Sequence, residues 1–303
     1  MWETALAFAI WGSYGAVLTA AHIDPVLTAL TRSAALGMVL AGASAIVLRV
    51  WGPREITAAI PWHNGTLWLS GGIVLVDEVL YCVSAVNGPV AIIGLAYGCM
   101  PIVVPFLSRL AGTDDKAAMR PRHWWCLALA FAGNAMIFFT LTASHIEFTL
   151  SAVFAFFAAM LFTALPVCSA KLQQSGLGSW AVLKGQGVTA AILGIPLFAL
   201  FVAAGLMPSG ERAGADIVER SVATGAANAL AFTVVPLYLW YRGIARCGVA
   251  RTAIYGFTEP LVATIFSLVV LKDAPAKPVL VAGVAIVLAA IVISARPAAE
   301  PGR

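Results

Sequence analysis

The sequence predicts an all-α integral membrane fold, with ten transmembrane helices arranged as two inverted five-helix repeats, and three observations carry that prediction. Composition comes first. Of 303 residues, 61% are hydrophobic and 11% charged, with mean hydropathy +0.93, whereas a soluble domain carries roughly 25% charged residues. Second, apolar windows of about 20 residues, the length that crosses a bilayer, recur along the chain. Third, the segment AIIGLAYGCMPIVVPFLSRLAGTDD returns as ARTAIYGFTEPLVATIFSLVVLKDA. Sliding by 159 residues sets Pro101 on Pro260 and Asp114 on Asp273, while a slide of 158 sets Tyr97-Gly98 on Tyr255-Gly256. Five is odd, so two halves of five spans each must point opposite ways.

The spans fall near 4–21, 26–48, 66–86, 89–111, 124–142, 149–171, 180–205, 221–241, 248–271 and 278–295. Span one starts in MWETALAFAI, which lacks a basic leader region and so reads as an uncleaved helix, not a signal peptide. Its end and the start of span two are marked by His22-Ile23-Asp24-Pro25. Asn87-Gly88-Pro89 separates spans three and four, and Ala274-Pro275-Ala276-Lys277-Pro278 separates nine and ten. The longest connection, near 206–220, contains Pro-Ser-Gly-Glu-Arg, and its ADIVER stretch reads as a short interfacial helix. The chain thus divides into a first repeat at 1–147, a second at 148–297 and a tail at 298–303.

Lys and Arg set the orientation. Twelve are counted on one side and four on the other, with Arg32 and Lys184 left out. The excess marks the cytoplasmic face and puts both termini there. The basic residues form no stripe or tail, which excludes a nucleic-acid partner. Eight of nine tryptophans lie near span ends, as interfacial anchors do, and Trp11 is the exception. Cys82, Cys99, Cys126, Cys168 and Cys247 form no CxxC pair and read as small buried hydrophobes.

Six charged residues fall inside spans: Arg32, Asp77, Glu78, Lys184, Arg251 and Glu259. A charge at bilayer depth costs at least roughly 2.5–3.5 kcal/mol and marks a functional group by default. At about 1.5 Å per residue, Glu78 lies roughly 14 Å from the Asn87 turn and Glu259 roughly 16 Å from Gly248, both close to the midplane. Arg32 lies roughly 10 Å inside Pro25, within reach of either acid. Lys184 and Arg251 lie near the surface and snorkel. For the pair Asp77-Glu78 two readings stand: an ion pair with Arg32, or an acid that binds a cationic group or a proton. Glu78 is assigned the second role and Asp77 the first. Pro260 and Pro101 lack N–H groups and release the carbonyls of Gly256 and Tyr97 for a polar guest. Trp11, Tyr81, Tyr97 and Tyr255 supply candidate walls. The substrate-binding set is therefore Trp11, Arg32, Asp77, Glu78, Tyr81, Tyr97, Pro101, Tyr255, Glu259 and Pro260.

Several features resemble one family. Ile10-Trp11-Gly12-Ser13 is similar to a Trp-Gly-Ser signature in span one. Arg32 follows Pro25 by seven residues, where an arginine is common on span two. Tyr255-Gly256-Phe257-Thr258-Glu259-Pro260-Leu261 looks like a proline-bearing penultimate helix, and Gly283 with Ala289-Ala290 resembles the small-residue spacing of a last helix. Together they resemble the ten-helix EamA-like exporters of the drug/metabolite transporter (DMT) superfamily over nearly the whole chain. Asp114 and Asp273 stand where that family commonly has Gly-Glu.

The resemblance implies a multi-pass secondary transporter in a bacterial-type inner membrane. It would export a small polar metabolite, an amino acid or related amphiphile, by alternating access, with proton coupling and pairing with a second copy left open. No cofactor, metal or catalytic residue is expected. The rival readings are an intramembrane lipid-modifying enzyme and a non-catalytic membrane partner. The enzyme would need histidine and acids at one depth, yet His22, His63, His123 and His145 are far apart and near span ends. Gly185-Gln186-Gly187-Val188-Thr189-Ala190 fits GxGxxA but follows no strand, so no dinucleotide is expected.

Overall fold

The computed structural model describes residues 2–51, 60–88, 90–113, 121–142, 150–205, 215–266 and 278–295. Their helices are α1 (Trp2–Ala20), α2 (Pro25–Trp51), α3 (Gly65–Asn87), α4 (Val90–Gly98), α5 (Met100–Leu110), α6 (Pro121–Thr142), α7 (Leu150–Gln174), α8 (Ser179–Ala203), α9 (Ala215–Asn228), α10 (Val235–Cys247), α11 (Val249–Ala253), α12 (Thr258–Phe266) and α13 (Pro278–Ala295). A π-helical turn, Ala229–Val234, joins α9 to α10, and a 3-10 turn, Ile254–Phe257, joins α11 to α12. Span four is therefore α4 with α5, span eight α9 with α10, and span nine α11 with α12. Among the described residues, six stretches are long and apolar enough to cross a membrane: Pro25–Gly42, Gly65–Asn87, Ile92–Leu110, Leu150–Gln174, Ser179–Ala203 and Ala215–Cys247. The Asp114–Asp273 equivalence, the cations Arg54, Lys116, Arg120, Arg212, Lys272, Lys277, Arg296 and Arg303, and the tail lie outside the described residues.

Helix ends follow local chemistry. Asp24 accepts from the Leu27 N–H at 2.8 Å, and Pro25 opens α2 where no donor is needed. Asn64 caps α3 by accepting from the Thr66 N–H at 2.9 Å. One sequence expectation changes: ADIVER is not a separate interfacial helix. It forms the first turns of α9, because no breaker separates Arg220 from Ser221 and Asp216 sits favourably at the N-terminus.

Packing obeys an exchange of span n with span n+5. Spans five and ten pack together, as do two and seven, and four and nine, each pair its own counterpart. Three packs on six as eight packs on one; three on seven as eight on two; four on six as nine on one. Glycines make the symmetry atomic. A Cβ on Gly133 would lie 2.8 Å from the Gly283 carbonyl oxygen, and one on Gly283 would lie 2.8 Å from that of Gly133. A Cβ on Gly71 would lie 3.0 Å from the Ala190 nitrogen, and one on Gly225 the same distance from that of Arg32. Arg32 is thus equivalent to Ala190.

The outer surface carries exposed Met38, Leu69, Phe157, Met160, Ile195 and Leu200, which suits a hydrocarbon solvent. Gly133→Ala is expected to destabilise the fold by roughly 1–3 kcal/mol, since backbone must move to admit the methyl group. Gly42→Ala, with nothing within 4 Å of its Cβ, is expected to be tolerated. Thermal unfolding in detergent compares the two.

Candidate functional site

The site is organised by α3. Val76 is 42% exposed on the outside, whereas Asp77 and Glu78 are buried at 7% and 3%. Successive residues turn about 100°, so the two acids straddle the inward face and reach different neighbours.

Glu78 is the acid that meets Arg32. Its Oε2 pairs with the Arg32 guanidinium, and its Oε1 accepts from the Tyr14 hydroxyl. Cys82, one turn along α3, adds an S–H donor at 3.3 Å. Arg32 also donates from Nε to Thr233 at 2.5 Å and lies 5.4 Å from the Tyr14 ring centre. The sequence assignment of Asp77 to Arg32 is therefore corrected. Asp77 instead accepts from the Tyr97 hydroxyl at 2.5 Å.

Glu259 enters from the other repeat, in the first turn of α12, and is 5% exposed. Among the described residues no donor or cation pairs with its carboxyl group. Gly12 explains its position: a Cβ there would lie 2.5 Å from the Glu259 carbonyl oxygen, so only glycine lets α1 cross this close. The adjacent Trp11 donates its indole N–H to the Phe232 carbonyl at 2.8 Å. That carbonyl belongs to the π-helical turn just before Pro236, and both features withhold ordinary helical donors. The Trp-Gly pair thus ties α1 to spans eight and nine together.

Seven of the ten sequence-proposed residues line one cavity: Trp11, Arg32, Asp77, Glu78, Tyr81, Tyr97 and Glu259. Pro101, Tyr255 and Pro260 do not. Pro101 packs against Gly256, Pro260 lies beside Gly94, and Tyr255 is buried in the main core. The Gly256 carbonyl is not left free by Pro260, because the Thr258 N–H points to it and to that of Tyr255. Tyr14, Val74, Phe162, Leu165 and Leu237 complete the cavity wall. Tyr14 was legible as the residue one turn beyond Trp11, but nothing in the sequence signals Phe162 or Thr233. The rings interlock, with Tyr14 stacked on Tyr81 at 5.1 Å and Tyr81 edge-on to Tyr97 at 5.4 Å. The cavity measures about 40 Å³. A single water needs about 10–15 Å³, so the space admits only a few water-sized guests.

A larger hollow of about 630 Å³ lies where α7 turns into α8 and α10 into α11, lined by Gln173, Gln174, Ser179 and Gly248 among others. Between the two spaces stands an aromatic and polar barrier. Trp240 stacks on Phe162 at 5.3 Å and meets Trp11 edge-on at 5.5 Å. Tyr241 donates to Gln186 at 2.5 Å, Gln186 donates to Ser169 at 3.2 Å, and Gln173 donates to the Tyr241 carbonyl at 3.0 Å.

The sequence model of the EamA-like transporter family matches residues 149–295, which is spans six to ten. A solved protein crystal structure shares the fold at TM-score 0.70 and 18% identity, covering 96% of this chain and 96% of its own. No curated protein matches the chain. The all-helical fold and the family match over its second half place the protein among the multi-pass membrane transporters of the DMT superfamily.

Proposed function

We propose that the protein is a secondary transporter that exports a small polar metabolite, an amino acid or a related amphiphile, across a bacterial-type inner membrane with both termini in the cytoplasm. The repeats divide between residues 147 and 148, and the substrate is held between them. The observation that carries this reading is the meeting of Asp77 from the first repeat and Glu259 from the second in one buried, aromatic-walled cavity. A site shared by two inverted halves is exposed to alternate sides when one half rocks against the other. At about 40 Å³ the cavity must widen to admit a metabolite. The hollow beside Gln173 and Gly248 is the cytoplasmic vestibule, and the Trp240–Phe162–Trp11 cluster with the Tyr241–Gln186 latch is the barrier that must part.

Counterflow in proteoliposomes tests the reading, with a pool of labelled amino acids, amines, nucleosides and sugars, with and without a pH gradient. Accumulation of at least one solute class above protein-free vesicles is expected. Flux that responds to the gradient supports proton coupling through the buried acids; flux that ignores it supports simple exchange. No flux for any solute would sink the transporter reading.

A further inference from the structure

We infer that the central cavity takes protonated amines with an apolar body, in preference to amino acids that carry the same body and a carboxylate as well; this rests on reading the cavity as the transport site. Among the described residues, the formally charged groups in its wall are Asp77, Glu78, Glu259 and Arg32. Arg32 is committed. It pairs with Glu78, donates to Thr233 at 2.5 Å, and its side chain is 9% exposed. Glu78 is committed in turn to Arg32, Tyr14 and Cys82. What remains for a guest is acidic. Asp77 keeps an oxygen beyond the one that accepts from Tyr97, and Glu259, 5% exposed, has no paired donor or cation among the described residues.

A buried carboxylate without a partner is costly, and a cation that fills the gap removes the cost. An ammonium brings three donors, enough to serve Asp77 and Glu259 at once. The rings of Tyr81 and Tyr97 in the same wall add attraction for the same charge. A carboxylate on the guest finds the opposite conditions. It enters the field of Asp77 and Glu259, and its one cationic partner in the wall is already held by Glu78. To bind Arg32 it must displace Glu78 and leave that carboxylate buried without its counter-charge. The apolar body meets Val74, Leu165 and Leu237, and enters as the walls part.

The test compares 2-phenylethylamine, phenylalanine and 3-phenylpropionate, which share one ring and differ only in charged groups. Binding to the full-length protein in lipid nanodiscs is followed at neutral pH by tryptophan quenching. The amine is expected to bind at least tenfold more tightly than phenylalanine, with no detectable binding of 3-phenylpropionate. Glu259→Gln is expected to weaken the amine at least tenfold at an unchanged melting temperature, and Asp77→Asn serves if Glu259→Gln does not fold. Phenylalanine binding as tightly as the amine, absence of amine binding to the native chain, or full amine binding by a folded variant overturns the inference. Amine binding without counterflow would keep this site and sink the transporter reading. Counterflow of phenylalanine without preference for the amine would keep the transporter and sink the amine site.

Discussion

Glu78→Gln is expected to lower the stability of the folded protein by roughly 3–5 kcal/mol, the usual cost of removing one partner from a buried ion pair. Arg32 is 7% exposed and cannot turn to water. Glutamine still accepts from the Tyr14 hydroxyl, but it leaves the guanidinium without its counter-charge. Replacing both partners, Arg32→Met with Glu78→Met, is expected to recover most of the loss, because apolar substitutes of similar volume carry no desolvation cost. Asp77→Asn forms the contrast. Asparagine keeps an oxygen for the Tyr97 hydroxyl, so the change is expected to stay within about 1 kcal/mol. Thermal unfolding of the four proteins in one detergent decides the matter. A Glu78→Gln protein that melts with the native chain, or an Asp77→Asn protein that collapses, would reverse the assignment of the two acids.

Asp77→Asn and Glu259→Gln are each expected to cut the initial rate of counterflow roughly 10- to 100-fold at low substrate, the loss of one charge-assisted hydrogen bond of about 1.5–3 kcal/mol. Both proteins are expected to remain folded, so the loss is one of binding and not of abundance. The double substitution is expected to cost less than the sum of the singles, since both acids serve one guest. Proteoliposomes loaded with equal amounts of each variant, checked by quantitative blotting, give the rates. Full flux from both single variants would move the site away from this cavity.

How much of this was legible beforehand depends on range. Bilayer-length apolar runs and Asp24-Pro25 at the start of span two are local features, and the described ones became helices. The depth of Asp77, Glu78 and Glu259 was also local, since a helix converts residue count directly into height. Azimuth was not. Which acid meets Arg32 depends on how α3 is rotated against its neighbours. That rotation is set by Gly71 against Thr189 and Ala190, while Gly225 against Thr31 and Arg32 places α2. Those contacts join residues more than a hundred positions apart. The same distance hid Thr233, Phe162 and the Phe232 carbonyl.

The sequence by itself determined the solvent, the helical course of the chain and the height of each buried charge along its helix, because hydrophobic length and helical rise are properties of single segments. Only the tertiary structure decided the pairing of charges: Arg32 with Glu78, Asp77 with Tyr97, and Glu259 left facing the cavity. Pairing depends on helix rotation and close approach, and these are settled where glycines from different spans meet.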